Sequence, residues 1–179
     1  MNPGPERMAI HQAGHAVVQT LVGRQRCTVA RVSLDGPHCE SWQGRPASGE
    51  SYLDREVFFS LYEFGLVTLA GIAAEECIMA EGTEDGDPVV ALSDLAAWQE
   101  QAWGVLQDEA RVNLVSHNIM RKLHKWLDHD VIWQVVERLA GELLAQGTLV
   151  GEALQLILAP LRTWEGESAG VRDDPDTTG

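Results

Sequence analysis

Glu6-Arg7-Met8-Ala9-Ile10-His11-Gln12-Ala13-Gly14-His15-Ala16-Val17-Val18-Gln19-Thr20-Leu21-Val22-Gly23 is the stretch on which the reading of this chain turns. Ile10, Ala13, Val17 and Leu21 recur at helical spacing, and Ala9, Val18 and Val22 widen the apolar stripe. Pro5 suits a first helical position, where its missing N–H is no loss, and Gly23 suits a stop. A first helix is therefore expected over about residues 5–22. His11 and His15, four residues apart, fall one turn apart on one face of that helix, so both imidazoles can reach a single tetrahedral ion.

Outward from this helix the pattern changes. Thr28, Ala30, Val32 and Leu34 alternate with their neighbours, which predicts a strand over residues 27–34, and Asp35-Gly36-Pro37 turns the chain. Cys39, Ser41 and Gln43 support a short second strand, followed by a loop rich in glycine and proline. Ser51 and Asp54 resemble a capping box, and the apolar run from Val57 to Met79 predicts a second, largely buried helix. Gly65 and Gly71 weaken it by up to about 1 kcal/mol each relative to alanine, so close approach of another helix is their expected use. Leu92, Leu95, Trp98, Ala102 and Val105 mark a third helix that extends toward Leu114, with Gly104 and Asn113 as possible breaks. Residues 117–129 show no regular period. Val131, Val135, Leu139 and Leu143 give an amphipathic helix closed by Gly147, and a last helix is expected over residues 152–161. The fold class is mostly α-helical (α+β), with a small β-hairpin or short sheet after the first helix. The domain covers residues 1–162, and the acidic, apolar-poor segment 163–179 reads as a disordered tail.

Composition narrows the function. The chain has 179 residues and 45% apolar residues, which fits one soluble domain. Its 27 acidic residues against 13 Lys and Arg give a formal charge of -14, which repels nucleic acid and anionic membrane surfaces. Cys27, Cys39 and Cys77 form neither a CxxC pair nor an even disulfide set, so reduced thiols in a cytoplasmic protein are expected, with Cys77 the one inside an apolar helix. No signal peptide and no apolar run of roughly 18 to 20 residues is present, so no direct membrane insertion is expected.

Two imidazoles do not complete a zinc site, since a catalytic zinc usually takes three protein ligands and a water. Spacing leaves the third open among Glu75, Glu76, Asp85, Asp87 and Asp94. His38, His117, His124 and His129 read as solvent-facing or structural. Gln12 stands where an HExxH zinc helix carries its glutamate.

At this point the residues resemble the peptidase domain of the membrane-bound, ATP-driven zinc proteases of the FtsH type. HQAGHAVV over residues 11–18 is similar to the family's His-Glu-Ala-Gly-His helix, and Ala70-Gly71-Ile72-Ala73-Ala74-Glu75-Glu76 to its GGRAAEE helix. Ser93-Asp94-Leu95 resembles the family's Asn-Asp-Leu segment, and Leu143-Leu144 through Leu149, Gly151 and Glu152 its later leucine and Gly-Glu pattern. The four segments stand in order across about residues 6–160. The resemblance implies a helical, zincin-like peptidase domain with Zn2+ held by His11, His15 and Asp94, and Glu75 and Glu76 as structural or ligand-orienting acids. It also implies an unfolded peptide or protein segment as what the domain handles.

Two departures limit that transfer. No GxxxxGK[ST] phosphate loop occurs and no membrane span precedes the domain, so a free-standing relative is expected, a monomer or small oligomer supplied by a separate partner protein. At the catalytic position Gln12 replaces the glutamate base. An amide can hold a water but cannot take its proton, and general base catalysis is worth about 10²- to 10⁴-fold. Peptide-bond hydrolysis is therefore expected to be reduced or lost, and the alternative is a non-catalytic zinc-binding peptide or protein interaction domain.

Overall fold

A computed structural model describes residues 4–23, 29–34, 40–42, 57–80 and 91–164. The described elements, in order, are α1 (Pro5–Gly23), β1 (Val29–Ser33), β2 (Glu40–Trp42), α2 (Val57–Ala80), α3 (Ala91–Leu106), α4 (Glu109–Leu127), α5 (Asp130–Gln146), β3 (Thr148–Val150) and α6 (Gly151–Arg162). The fold is mostly helical, as expected, with a small antiparallel sheet.

Helix α1 is the axis of the molecule. Every residue from His11 to Gly23 is buried, because α1 packs against α2, α5, α6 and β1 and so has no solvent face over that length. An all-round buried helix carries small residues where a neighbour comes close, and Gly14 marks that place. A Cβ there would lie 2.7 Å from Ala74 Cβ and 2.9 Å from the Ala70 carbonyl oxygen. The backbones of α1 and α2 therefore approach as only glycine and alanine allow. On the other side, Ile132, Val135, Val136, Leu139, Ala140 and Leu143 form the buried stripe of α5. Leu154, Ile157, Leu158 and Leu161 form that of α6.

The sheet order is β2-β1-β3. Arg31 pairs with Glu40 in β2 and with Val150 in β3, and both pairings are antiparallel. β3 was not expected from the sequence. It has three residues, too few for alternation to register, and follows α5 through Gly147 at φ 76°. The Gly147 N–H bonds to the Leu143 carbonyl oxygen (2.7 Å) and its own carbonyl accepts from the Leu34 N–H (2.9 Å), so one glycine both ends α5 and joins it to the sheet.

The expected third helix is two. It breaks at Gln107, where φ is +49°, and Asp108 then caps α4 by accepting from the Arg111 N–H (3.1 Å), so the break lies neither at Gly104 nor at Asn113. Residues 117–129, which show no regular period, lie mostly in α4. That helix buries only Val112, Ile119, Leu123, Trp126 and Leu127, and the charged residues between them mask the stripe. The proposed cap at Ser51 and Asp54 lies outside the described residues, as does most of the segment 163–179. Trp164, at its head, is buried against the His129 ring, with ring centroids 5.1 Å apart.

Substituting Gly14→Ala sets the helix-propensity gain of up to about 1 kcal/mol against a clash with backbone, and overpacking costs about 1–3 kcal/mol. The expected outcome is a net loss of stability of about 1–2 kcal/mol, read as a lower urea midpoint with unchanged slope.

Candidate metal centre

Three acceptor atoms meet where α1 faces the first turn of α3. The Nε2 atoms of His11 and His15 are 3.0 Å apart, and Asp94 Oδ2 lies 2.9 Å from the first and 3.1 Å from the second. All three residues are buried, at 0%, 2% and 1% exposure, and together they form a group able to hold a metal ion. A tetrahedral ion with bonds of about 2.0–2.1 Å spaces its donors roughly 3.3 Å apart, so this triangle needs only a few tenths of an ångström of opening.

The outer face of each imidazole decides what its inner face presents. His11 Nδ1 lies 2.6 Å from Glu75 Oε1, and His15 Nδ1 lies 2.6 Å from the Val67 carbonyl oxygen. Both partners are acceptors, so each Nδ1 carries the proton and donates it. In the neutral rings both Nε2 lone pairs then point at a carboxylate oxygen. Three converging acceptors repel one another unless a proton or a metal cation lies between them, and the donor set suits either.

Glu75 is held from behind as well. Arg7 Nε donates to its Oε2 at 2.6 Å, so Arg7, Glu75 and His11 form a buried relay ending at the candidate ion. Gly71 makes room for it, since a Cβ there would come 2.5 Å from the His11 ring. Its expected role of admitting another helix is realised as admitting that helix's histidine.

Charge follows the same logic. Burial disfavours the charged form of His11, but its hydrogen bonds to Asp94 and Glu75 outweigh burial and raise its pKa from 6.5 to about 9. Burial likewise opposes charge on Asp94, and the bonds from His11 and His15 overcome it and hold the carboxyl well below the usual carboxylate range. In the ion-free chain, Arg7 and a proton on His11 balance Glu75 and Asp94. A cation that enters takes the place of that proton.

Of the acids left open by spacing, Asp94 joins the histidines, Glu75 orients His11, and Glu76 points away to His124 Nε2 at 2.8 Å. Asp85, Asp87 and His38 lie outside the described residues. His117 and His129 are exposed. Gln12 is fully buried, with its Nε2 3.9 Å from Met8 Sδ. Sequence reasoning missed Arg7 and the Val67 carbonyl. The signal for Arg7 was present, as a lone charge one turn before His11 on the buried face of α1.

Glu75→Gln removes the carboxylate behind His11 and weakens divalent-ion affinity by about 10- to 100-fold, measured by competition with a chromophoric chelator. Because His11 must lose its proton, affinity rises roughly tenfold per pH unit from pH 6.5 and levels off near pH 9. The sign reverses for the ion-free fold. The His11 contribution to stability is complete below pH 6.5 and is lost as pH rises through about 9. That of Asp94 is present above the usual carboxylate range and lost in acid.

No protein-family model matches this chain, and no curated protein sequence matches it.

Proposed function

We propose that this chain is a zinc-binding, FtsH-peptidase-like domain that holds its ion at His11, His15 and Asp94 without hydrolysing peptide bonds, and that it serves as a peptide or protein interaction domain. One observation carries the reading: three buried acceptor atoms within 3.1 Å of one another, two of them on rings whose outer N–H groups are already committed. Two imidazole nitrogens and one carboxylate oxygen in a small buried triangle suit zinc better than calcium or magnesium, which prefer oxygen donors and more of them.

Zinc bound at such a site would supply Lewis acidity and lower the pKa of a bound water. A peptidase also needs a base in the protein. Gln12 has no titratable group, and the two acids that could replace it are engaged elsewhere. Glu75 uses Oε1 on His11 and Oε2 on Arg7, and Glu76 pairs with His124. The arrangement supports holding an ion, and among the described residues neither Glu75 nor Glu76 is left to take a proton from water.

No described helix is long and apolar enough to cross a membrane, and a charge of -14 disfavours nucleic acid. The partners that fit are an unfolded peptide segment or a separate protein, met in the cytoplasm by a monomer or small oligomer.

The test is elemental analysis of the purified full chain together with cleavage of a flexible unfolded substrate. One zinc per chain is expected, lost in His15→Ala, with no cleavage by the wild type and chelator-sensitive cleavage gained in Gln12→Glu. Robust hydrolysis by the wild-type protein that vanishes in His15→Ala would overturn the non-catalytic reading, and absence of bound zinc would overturn the metal assignment.

A further inference from the structure

A second cluster lies across α2 from the candidate metal centre. Cys77, in the last turn of α2, is half-buried and carries a thiol. Its Sγ lies 3.8 Å from His124 Nδ1, in the last turn of α4. On the far side of that ring, Nε2 lies 2.8 Å from Glu76 Oε2. A carboxylate can only accept, so Nε2 holds the ring proton, and the lone pair of Nδ1 is left facing the sulfur. Thiol, imidazole and carboxylate thus stand in the order that lets a histidine take a proton from a cysteine while an acid fixes its tautomer.

The three residues are positioned by helix packing rather than by loops. Glu76 and Cys77 are consecutive in α2, and His124 reaches both from α4, which packs along α2. The negative end of α2 disfavours a bare thiolate at Cys77, so a charged sulfur there depends on its imidazolium partner. That dependence makes His124 the decisive residue.

We propose that Cys77 is a reactive thiol whose substrate class is small uncharged hydroperoxides, with His124 as its base and Glu76 as the positioning residue for that base. The surface charge of -14 repels anionic electrophiles but leaves a neutral peroxide free to approach. Oxidation of a thiolate also needs no oxyanion-binding donors, unlike acyl transfer. In the step, His124 Nδ1 takes the thiol proton and Sγ attacks one peroxide oxygen. The S–O bond forms as the O–O bond breaks, and the departing oxygen takes the proton from His124. The products are a sulfenic acid on Cys77 and water or an alcohol, with sulfur oxidised by two electrons and the peroxide reduced by two. This site and the metal reading stand on different residues, and either can fail without the other.

The experiment uses the full chain. Iodoacetamide alkylation of Cys77 is followed by mass spectrometry between pH 8 and pH 6, with Cys27 and Cys39 as internal comparators. A thiol of ordinary pKa near 8.5 loses roughly 75-fold of its thiolate over that range. Cys77 is expected to slow by no more than about threefold. His124→Gln, at a half-buried position, should restore the steep fall with helicity unchanged, and Glu76→Gln should restore part of it. Hydrogen peroxide followed by dimedone should label Cys77 ahead of the other two cysteines. A wild-type profile as steep as that of His124→Gln overturns the proposal, and a shallow profile without dimedone labelling overturns the hydroperoxide assignment.

Discussion

Lone pairs from two imidazoles and a carboxylate, directed at one buried point, cannot be held together by packing alone. Something positive must lie between them, and in the ion-free chain the proton on His11 has that role. The surrounding features exist to make that convergence possible. Gly14 lets α1 and α2 approach at backbone distance, Gly71 opens space for the His11 ring, and the first turn of α3 brings Asp94 over the pair. Behind them the Glu75 carboxylate and the Arg7 guanidinium keep His11 oriented and the buried charge balanced. A change in any of these residues is felt at the centre, because each controls either a distance or a charge there.

Holding an ion and using one for hydrolysis make different demands on the surrounding residues. Metal binding needs acceptors in place and a second layer of partners that fixes their direction, and both are present. Hydrolysis needs a group that changes protonation state next to the reacting water. In this chain the position next to the first histidine is Gln12, an amide, and among the described residues Glu75 bonds to His11 and Arg7 while Glu76 bonds to His124.

Much of this was legible in the sequence, for physical reasons that can be named. Helices α5 and α6 announce themselves by an amphipathic period, α1 and α2 by long apolar runs at helical spacing, so all four and the histidine pair could be read directly. Asp94 could not, because a ligand that arrives from 79 residues away leaves no trace in spacing; a motif resemblance singled it out from five acids. Glu75 and Glu76 were named together, and the fold divides them. Consecutive helical residues point about 100° apart, so once α1 takes one of the pair, α4 receives the other. β3 and α4 escaped for opposite reasons, one too short for a period and the other too highly charged for its period to stand out.

The partner that closes the small sheet comes from late in the chain. β1 runs through residues 29–33 but bonds to residues 148–150, and the first helix is enclosed by helices that begin at residues 130 and 151. During synthesis the histidine helix thus emerges well before α5 and α6, and the faces that these two cover wait for them, whereas α2 is available earlier for its other side. Closure of so wide a loop is slow compared with local helix formation. The faces of α1 that α5 and α6 cover stay open to misassociation until those two helices dock.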